Sequence, residues 1–422
     1  MRIHMMSNSP WVNSGFGKVS RYIAIGLKKL GHEVSMTGIQ TALKVSNDYG
    51  FPCFPIDTGG HVDESTQLFL NIQHIQPDIL LYVGQTDADM NYVTKVFDKQ
   101  VIYCPVEGMN IPYGMAADLK SVVNRNGVVI AQCHYGYEEM IKAGVGVSKY
   151  IYHGFDPSVF YPIKNMDEHL SNNKNIDKSE IVSVLKLNRD ENGKAKWQQY
   201  DISILEFASG MKGKFIYGFV GQNFGLRKQI PRLLKAYSIL IGESKQIKDR
   251  SVLVLHTLPM SIRGVNLIKI VHQLGIQDNV VFAYSAFGSN GWSEQGMNIW
   301  YNLCDVNVSA SSSEGFGLAT IESMACGIPN IGPDCSSFTE LIGNDTDIDK
   351  NRGWLANIAT YHQIQDGSSR ALVSESDLAL KMKLAYVEKD RMKLFGENAM
   401  KFARGYTWDK VTEQFNKILI KM

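Results

Sequence analysis

The sequence predicts an α/β protein built as two doubly wound domains that face each other across a cleft. Three observations lead there. Short apolar runs rich in β-branched residues alternate with stretches of helical period, the pattern of a parallel sheet covered by helices on both faces. The pattern runs through residues 1–162 and starts afresh near residue 211. A chain of 422 residues also exceeds one hydrophobic core, since a domain commonly takes ~100–200 residues.

In chain order, strands are expected at Arg2–Met6, Glu33–Thr37, Ile79–Val83, Val101–Pro105, Val128–Gln132 and Tyr150–His153. Between the first two, Val19, Tyr22, Ile23, Gly26, Leu27 and Leu30 recur at helix spacing, and Gly31 stands where that helix should stop. These elements make an N-terminal, Rossmann-like domain over 1–162. The polar stretch KNMDEHLSNNKNIDKSE has neither period nor apolar mass, so 163–210 reads as a linker or surface insertion, with a hairpin around Asn192-Gly193. Strands resume at Phe215–Val220, Val252–His256, Val280–Tyr284, Val306–Ser309 and Pro329–Ile331. Helical stretches such as Ile230–Ile241 and Val265–Leu274 separate them, giving a second Rossmann-like domain over 211–404. In 405–422, Trp408, Val411, Phe415, Ile418 and Leu419 form one apolar stripe, and such a helix needs a surface to cover. It is expected to pack across the domain junction.

Composition narrows the classes of function. With 44% hydrophobic and 20% charged residues the chain is a folded globular protein, and 43 Lys and Arg against 42 Asp and Glu leave a net charge of +1. No overall field therefore draws it to nucleic acid or an anionic membrane; contact of that kind needs a local patch, such as Lys186, Arg189, Lys194 and Lys196 beside Trp197. The six cysteines are scattered, without a CxxC pair, which suits reduced thiols in the core rather than disulfides or zinc. No stretch approaches the ~18 apolar residues of a spanning helix, and the first residues lack the features of a signal peptide, so a cytoplasmic protein is expected.

The most informative stretch is SSSEGFGLATIESMACGIP, residues 311–329. A strand, Val306–Ser309, feeds a loop of small residues and then a helix from Leu318. Free N–H groups at the mouth of that helix, with its dipole, make an anion site suited to a diphosphate, and Gly315 and Gly317 let the backbone come close. Glu314 and Glu322 would stand roughly 12 Å apart on a continuous helix, and less with the turn included. That spacing suits opposite ends of an extended ligand, each carboxylate accepting from sugar-like hydroxyls, rather than one proton-transfer pair. On spacing alone, an N-terminal cap at Glu314 and a solvated helix face at Glu322 are the better account of the two glutamates.

Here the residues carry a resemblance. E-G-F-G-L-x-x-x-E-x-M-A-x-G-x-P resembles the E-x7-E motif of the GT-B retaining glycosyltransferases of family four, the "glycosyltransferase group 1" proteins. The resemblance implies that Glu314 contacts the transferred sugar and Glu322 the ribose of a nucleotide, with the Gly315, Phe316, Gly317 and Leu318 backbone in support. SNSPWVNSGFGKVSRYIAIGLKKLGHEV resembles the family's first strand, glycine loop and first helix, so that Gly15 and Gly17 would approach the donor phosphates or the acceptor. FVGQNFGLRKQIPRLLKAYSIL resembles the start of the C-terminal domain, which makes Arg227 and Lys228 the candidates for the donor diphosphate; Gln222 stands where many members carry Arg. YHGFDPSVFYP resembles the segment that closes the N-terminal domain. On the acceptor side, Glu107 and His134 lie at strand ends where similar transferases approach the sugar or the acceptor hydroxyl.

The resemblance implies transfer of a sugar from a nucleotide-diphosphate donor, UDP- or GDP-linked, to an acceptor hydroxyl, with anomeric configuration kept and no covalent enzyme nucleophile. Cations prepositioned on the leaving diphosphate do the work of a metal, so no metal and no further cofactor are expected. Asp87-Ala88-Asp89 has the spacing of a metal-binding DxD but reads as a helix cap. Asp345, Asp347 and Asp349 open like a calcium loop, yet Lys350 takes the glycine place and Ala356 the bidentate glutamate place. The acceptor, whether glycan, lipid, protein or modified nucleic-acid base, is not legible. Rival classes are a nucleotide-sugar epimerase or hydrolase and a binding protein without turnover.

Overall fold

A computed structural model describes residues 1–12, 14–39, 46–56, 64–85, 90–166, 168, 169, 181–189, 195–285, 292–343 and 345–422. The N-terminal lobe comprises β1 (Arg2–Asn8), α1 (Gly15–Lys29), β2 (Glu33–Ile39), β3 (Cys53–Pro55), α2 (Glu64–Ile75), β4 (Ile79–Val83), α3 (Met90–Val96), β5 (Gln100–Cys104), α4 (Tyr113–Asn124), β6 (Val128–Ala131), α5 (His134–Lys142) and β7 (Lys149–Tyr150). Its strands are parallel and ordered β3-β2-β1-β4-β5-β6-β7. β4 and β5 are buried at every position, which is why ILLYV and, after Gln100, VIYC read as unbroken apolar runs instead of alternating ones. Tyr150–His153 leaves the sheet after Tyr150, because His153 turns inward to meet the Tyr103 hydroxyl at 2.7 Å.

The second lobe starts with the antiparallel pair β8 (Ile181–Arg189) and β9 (Ala195–Ser203), followed by α6 (Ile204–Gly210) and β10 (Phe215–Val220). Then come α7 (Ile230–Glu243), α8 (Lys245–Arg250), β11 (Ser251–His256), α9 (Leu267–Gln273), β12 (Val280–Ser285), α10 (Glu294–Leu303), β13 (Val306–Val308), α11 (Leu318–Ala325), β14 (Asn330–Pro333), α12 (Ser336–Ile342) and β15 (Gly353–Ala356). A small hairpin, β16 (Ile358–Gln363) and β17 (Ser369–Val373), precedes α13 (Glu375–Val387), α14 (Lys389–Ala403) and α15 (Trp408–Leu419).

The second sheet runs β15-β14-β13-β10-β11-β12-β8-β9. Counted from β10, its six parallel strands repeat the order of the first lobe, so both sheets reverse direction beside their first strand. Such a reversal opens a crevice at the carboxyl ends of the strands, the usual place for a ligand. β8 and β9 fall within the stretch the sequence reads as linker or insertion, and they extend this sheet by antiparallel pairing with β12. The turn residues Asn192-Gly193 lie outside the described residues.

After α14 the chain returns to the first lobe. Phe155 N–H donates to the Tyr406 carbonyl at 3.1 Å and Trp408 N–H to the Phe155 carbonyl at 3.2 Å. Trp408, Val411, Phe415 and Leu419 of α15 then join the core made by α1 and β1, while Ile418 packs at its edge. Gly26 permits the approach: a Cβ there would lie 2.4 Å from the Thr412 hydroxyl.

Candidate active site

The loops after β10 and β13 meet at the reversal point of the second sheet. Ser312 binds them, its N–H and its hydroxyl both donating to the Arg227 carbonyl, at 2.8 and 3.1 Å. The Glu314 N–H donates to Ser336 Oγ at 3.1 Å, and Ser337 Oγ donates to the Glu314 carbonyl at 3.1 Å, so the start of α12 fixes the glutamate's backbone. Gly317 caps α11 at φ 103°, a conformation that L side chains avoid. Beyond it the first amides of α11 have no intrahelical acceptor. Gly315 has a different reason to be glycine. A Cβ there would lie 2.3 Å from Pro105 Cβ of the other lobe.

Around this backbone the charges converge. Glu314 Oε1 accepts from Lys228 Nζ at 2.5 Å and Oε2 from Arg227 Nη1 at 3.0 Å. The same Arg227 nitrogen lies 3.1 Å from Glu107 Oε1, which comes from the loop after β5 in the first lobe. Burial pushes the Glu314 carboxyl up, but Lys228 and Arg227 beside it outweigh that and hold it at about 2. Burial pulls Lys228 down from the ordinary lysine range, and the neighbouring Arg227 adds to that against Glu314. Glu314, Arg227, Lys228 and Glu107 are thus brought together, across the two lobes, as one ionic cluster.

Glu322, two turns further on, is 5% exposed and heads a second cluster. Its Oε1 accepts from Lys18 Nζ at 2.6 Å and its Oε2 from the Tyr301 hydroxyl at 3.0 Å. Lys18 also reaches Glu294 at 3.2 Å, where Arg21 and the Tyr22 hydroxyl converge at 3.0 and 2.8 Å. Burial acts to lower the Lys18 pKa, but Glu322 and Glu294 outweigh it and keep the ammonium above its ordinary range.

Gly15 and Gly17 lie in the first turn of α1. A Cβ on Gly15 would sit 3.6 Å from Leu318, so the two glycine loops face each other; one on Gly17 would strike the carbonyls of Val12 and Ser9 at 2.3 and 2.8 Å. Phe316 is buried between the lobes, 4.8 Å from the His153 ring and 5.5 Å from Tyr152. His134 stands apart from Glu314. Its ring is at the edge of a cavity of about 310 Å³ bordered by Glu138, Ser313, Ser336, Glu340 and Tyr361. The N–H groups of His134 and Tyr135 donate to Glu340, both at 3.0 Å, so a carboxylate of the second lobe caps a helix of the first. Beside Gly315 the Gln132 amide nitrogen is buried without a hydrogen-bond partner, a costly state.

Among the described residues no group of three or more His, Cys, Asp or Glu is placed to hold a metal ion. Asp345 accepts from the Asp347 N–H at 3.0 Å and Asp347 from the Asp349 N–H at 3.3 Å, both within their own loop. Asp87 and Asp89 lie outside the described residues, as does Lys194 of the basic run. Among the described residues no helix is long and apolar enough to cross a membrane. Sequence reasoning missed Lys18, Arg21, Glu294, Tyr301, Glu340 and Arg370. Lys18 alone had a signal, one residue past the Gly-Phe-Gly turn; the others arrive by tertiary contact.

Two lobes of this topology facing across a cleft, with loops from both meeting over Glu314, define the GT-B fold. The chain aligns over its whole length with sucrose-phosphate synthase from Thermosynechococcus elongatus (TM-score 0.68, 15% identity, 98% of that chain). It aligns equally fully with Anabaena Alr3699/HepE in complex with UDP-glucose (TM-score 0.67, 14% identity, 100% of that chain). Residues 203–391 match the model of the family "Glycosyl transferases group 1". Over 140 residues the sequence is 28% identical to the serotype-specific mannosyltransferase WbdA of Escherichia coli, a match covering 33% of this chain and 15% of that relative.

Proposed function

We propose that the protein transfers a sugar from a nucleotide-diphosphate donor to an acceptor hydroxyl, with retention and without a metal. The observation that carries this reading is the buried Glu314 held by Lys228 and Arg227 at the reversal point of the second sheet, facing Glu107 of the first lobe. Arg227 and Lys228, with the leading amides of α11, would take the diphosphate; Glu314 would then orient the sugar and Glu322 the ribose. As the C1–O bond to the diphosphate breaks, negative charge grows on the leaving oxygen, where preplaced cations lower the barrier without rearranging. The acceptor oxygen bonds to C1 from the same face, and its proton passes to the leaving phosphate oxygen. Glu107 and His134 lie on the acceptor side of that reaction.

WbdA is named a mannosyltransferase and HepE was solved with UDP-glucose, so GDP-mannose and UDP-glucose head the donors to try. The test is a panel of nucleotide sugars, read by thermal shift and by slow donor hydrolysis without a metal, with Glu314→Ala as control. A donor that raises Tm and is turned over by the wild type but not by Glu314→Ala supports the reading. A panel without a shift or turnover contradicts it.

A further inference from the structure

The β16–β17 hairpin is a separate two-stranded sheet that belongs to neither lobe's main sheet. Its own turn is closed: Ser368 donates through N–H and Oγ to Asp366 at 2.8 and 2.6 Å, and Gly367 adopts φ 87°. The start of β17 reaches across the cleft. Ser369 exchanges both backbone hydrogen bonds with Met109 of the first lobe, at 3.0 and 2.9 Å, a one-residue antiparallel bridge. Ala371 N–H donates to the Ser312 carbonyl at 3.1 Å, so the same free edge of β17 is tied two residues further on to the Glu314 loop.

Between these ties Arg370 points into the ionic cluster. Its Nη1 donates to Ser313 Oγ at 2.6 Å and to Glu107 Oε2 at 3.3 Å, with the side chain 12% exposed. Glu107 therefore lies between two arginines of the opposite lobe, Arg227 on one oxygen and Arg370 on the other. Gly108 fits this contact and no larger residue would. It sits at φ 133°, and a Cβ there would lie 2.8 Å from the Ser369 carbonyl and 3.4 Å from Arg370 Cδ.

We propose that this hairpin is the clasp that closes the two lobes on the acceptor side, and that Arg370 is its positioning residue, holding Glu107 where donor sugar and acceptor meet. The clasp itself is a statement about closure; only its effect on turnover rests on the transfer reading. The donor's diphosphate is gripped by Arg227 and Lys228, which Arg370 does not touch. Loss of Arg370 therefore lowers transfer while leaving donor binding in place.

Two measurements on the full chain test this. Without any donor, amide hydrogen exchange at Met109 and Ser369 should be faster in Arg370→Ala than in the wild type, and Arg370→Lys, whose ammonium can reach both partners, should restore part of the protection. Gly108→Ala should show the same faster exchange with Arg370 intact. Unchanged exchange in Arg370→Ala overturns the clasp whether or not the protein transfers sugar. With donor and acceptor, Arg370→Ala should lose about tenfold or more in kcat, the scale of a misplaced reacting group, with the donor KM and donor-induced Tm shift retained. Loss of the donor shift together with kcat would place Arg370 in donor binding and overturn the positioning role. A wild type that no nucleotide sugar stabilises counts against the transfer reading, and the exchange comparison still decides the clasp.

Discussion

Glu314 and Glu322 lie on one short segment and both are buried, yet they are held in opposite ways. Both cations on Glu314 come from its own lobe, on a loop knitted to it through Ser312. The cation on Glu322 comes from the other lobe, since Lys18 belongs to α1. One end of the cleft is thus organised before the lobes meet, and the other is completed by their meeting. Preorganised cations act on charge that develops in the reaction, whereas a contact made on closure acts on binding.

Changing one cation at each end separates these roles. Lys228→Ala should cost about 10²–10³ in kcat, the loss typical of removing one preplaced electrostatic donor. Lys18→Ala should act chiefly on the donor KM, raising it about tenfold, the weight of one hydrogen bond to a charged group. Steady-state kinetics with a donor identified by thermal shift reads both. Equal effects of the two variants on kcat would erase the distinction.

The pH dependence of stability sharpens it further. The Glu314 carboxyl sits at about 2 in the folded chain, below the roughly 4.3 of an unperturbed glutamate. A depressed folded value contributes stability that is full above the unfolded value and is lost as pH falls toward the folded one. The Tm gap between wild type and Glu314→Gln should therefore be constant above about pH 5 and narrow below about pH 4. A gap independent of pH down to acid unfolding would show that the carboxylate charge is not what the cluster uses.

The smallest effect is expected at Glu340, which caps α5 from the opposite lobe and also meets the Tyr152 hydroxyl. Glu340→Gln should cost about 1 kcal/mol of stability, the usual weight of a cap, with kcat retained. Denaturant unfolding checks it, and a loss of turnover instead would give this end of the cleft a direct part in the reaction.

The same contrast explains what the sequence reveals. The Glu314 segment was legible because its chemistry is local: strand, glycine turn, helix start and both carboxylates lie within a few residues of one another. Arg227 and Lys228 are candidates only through the resemblance of the stretch around them. Lys18 is 304 residues from Glu322, and Arg370 is 263 from Glu107, so no spacing rule joins them. The β16–β17 hairpin is not legible because only Ala371 and Val373 of its strands are buried, which leaves no alternation of a buried face; Asp366-Gly367 is its turn signal. The two lobes were legible from periodicity, whereas the pairing of β8 with β12 was not, since antiparallel addition to a parallel sheet leaves no mark in either strand alone.

The most direct measurement is a structure of the protein with a nucleotide sugar bound. The diphosphate should lie against Arg227, Lys228 and the first amides of α11, with sugar hydroxyls on Glu314 and ribose hydroxyls on Glu322. A nucleotide seated elsewhere, with Arg227 and Lys228 still on their carboxylates, would contradict it.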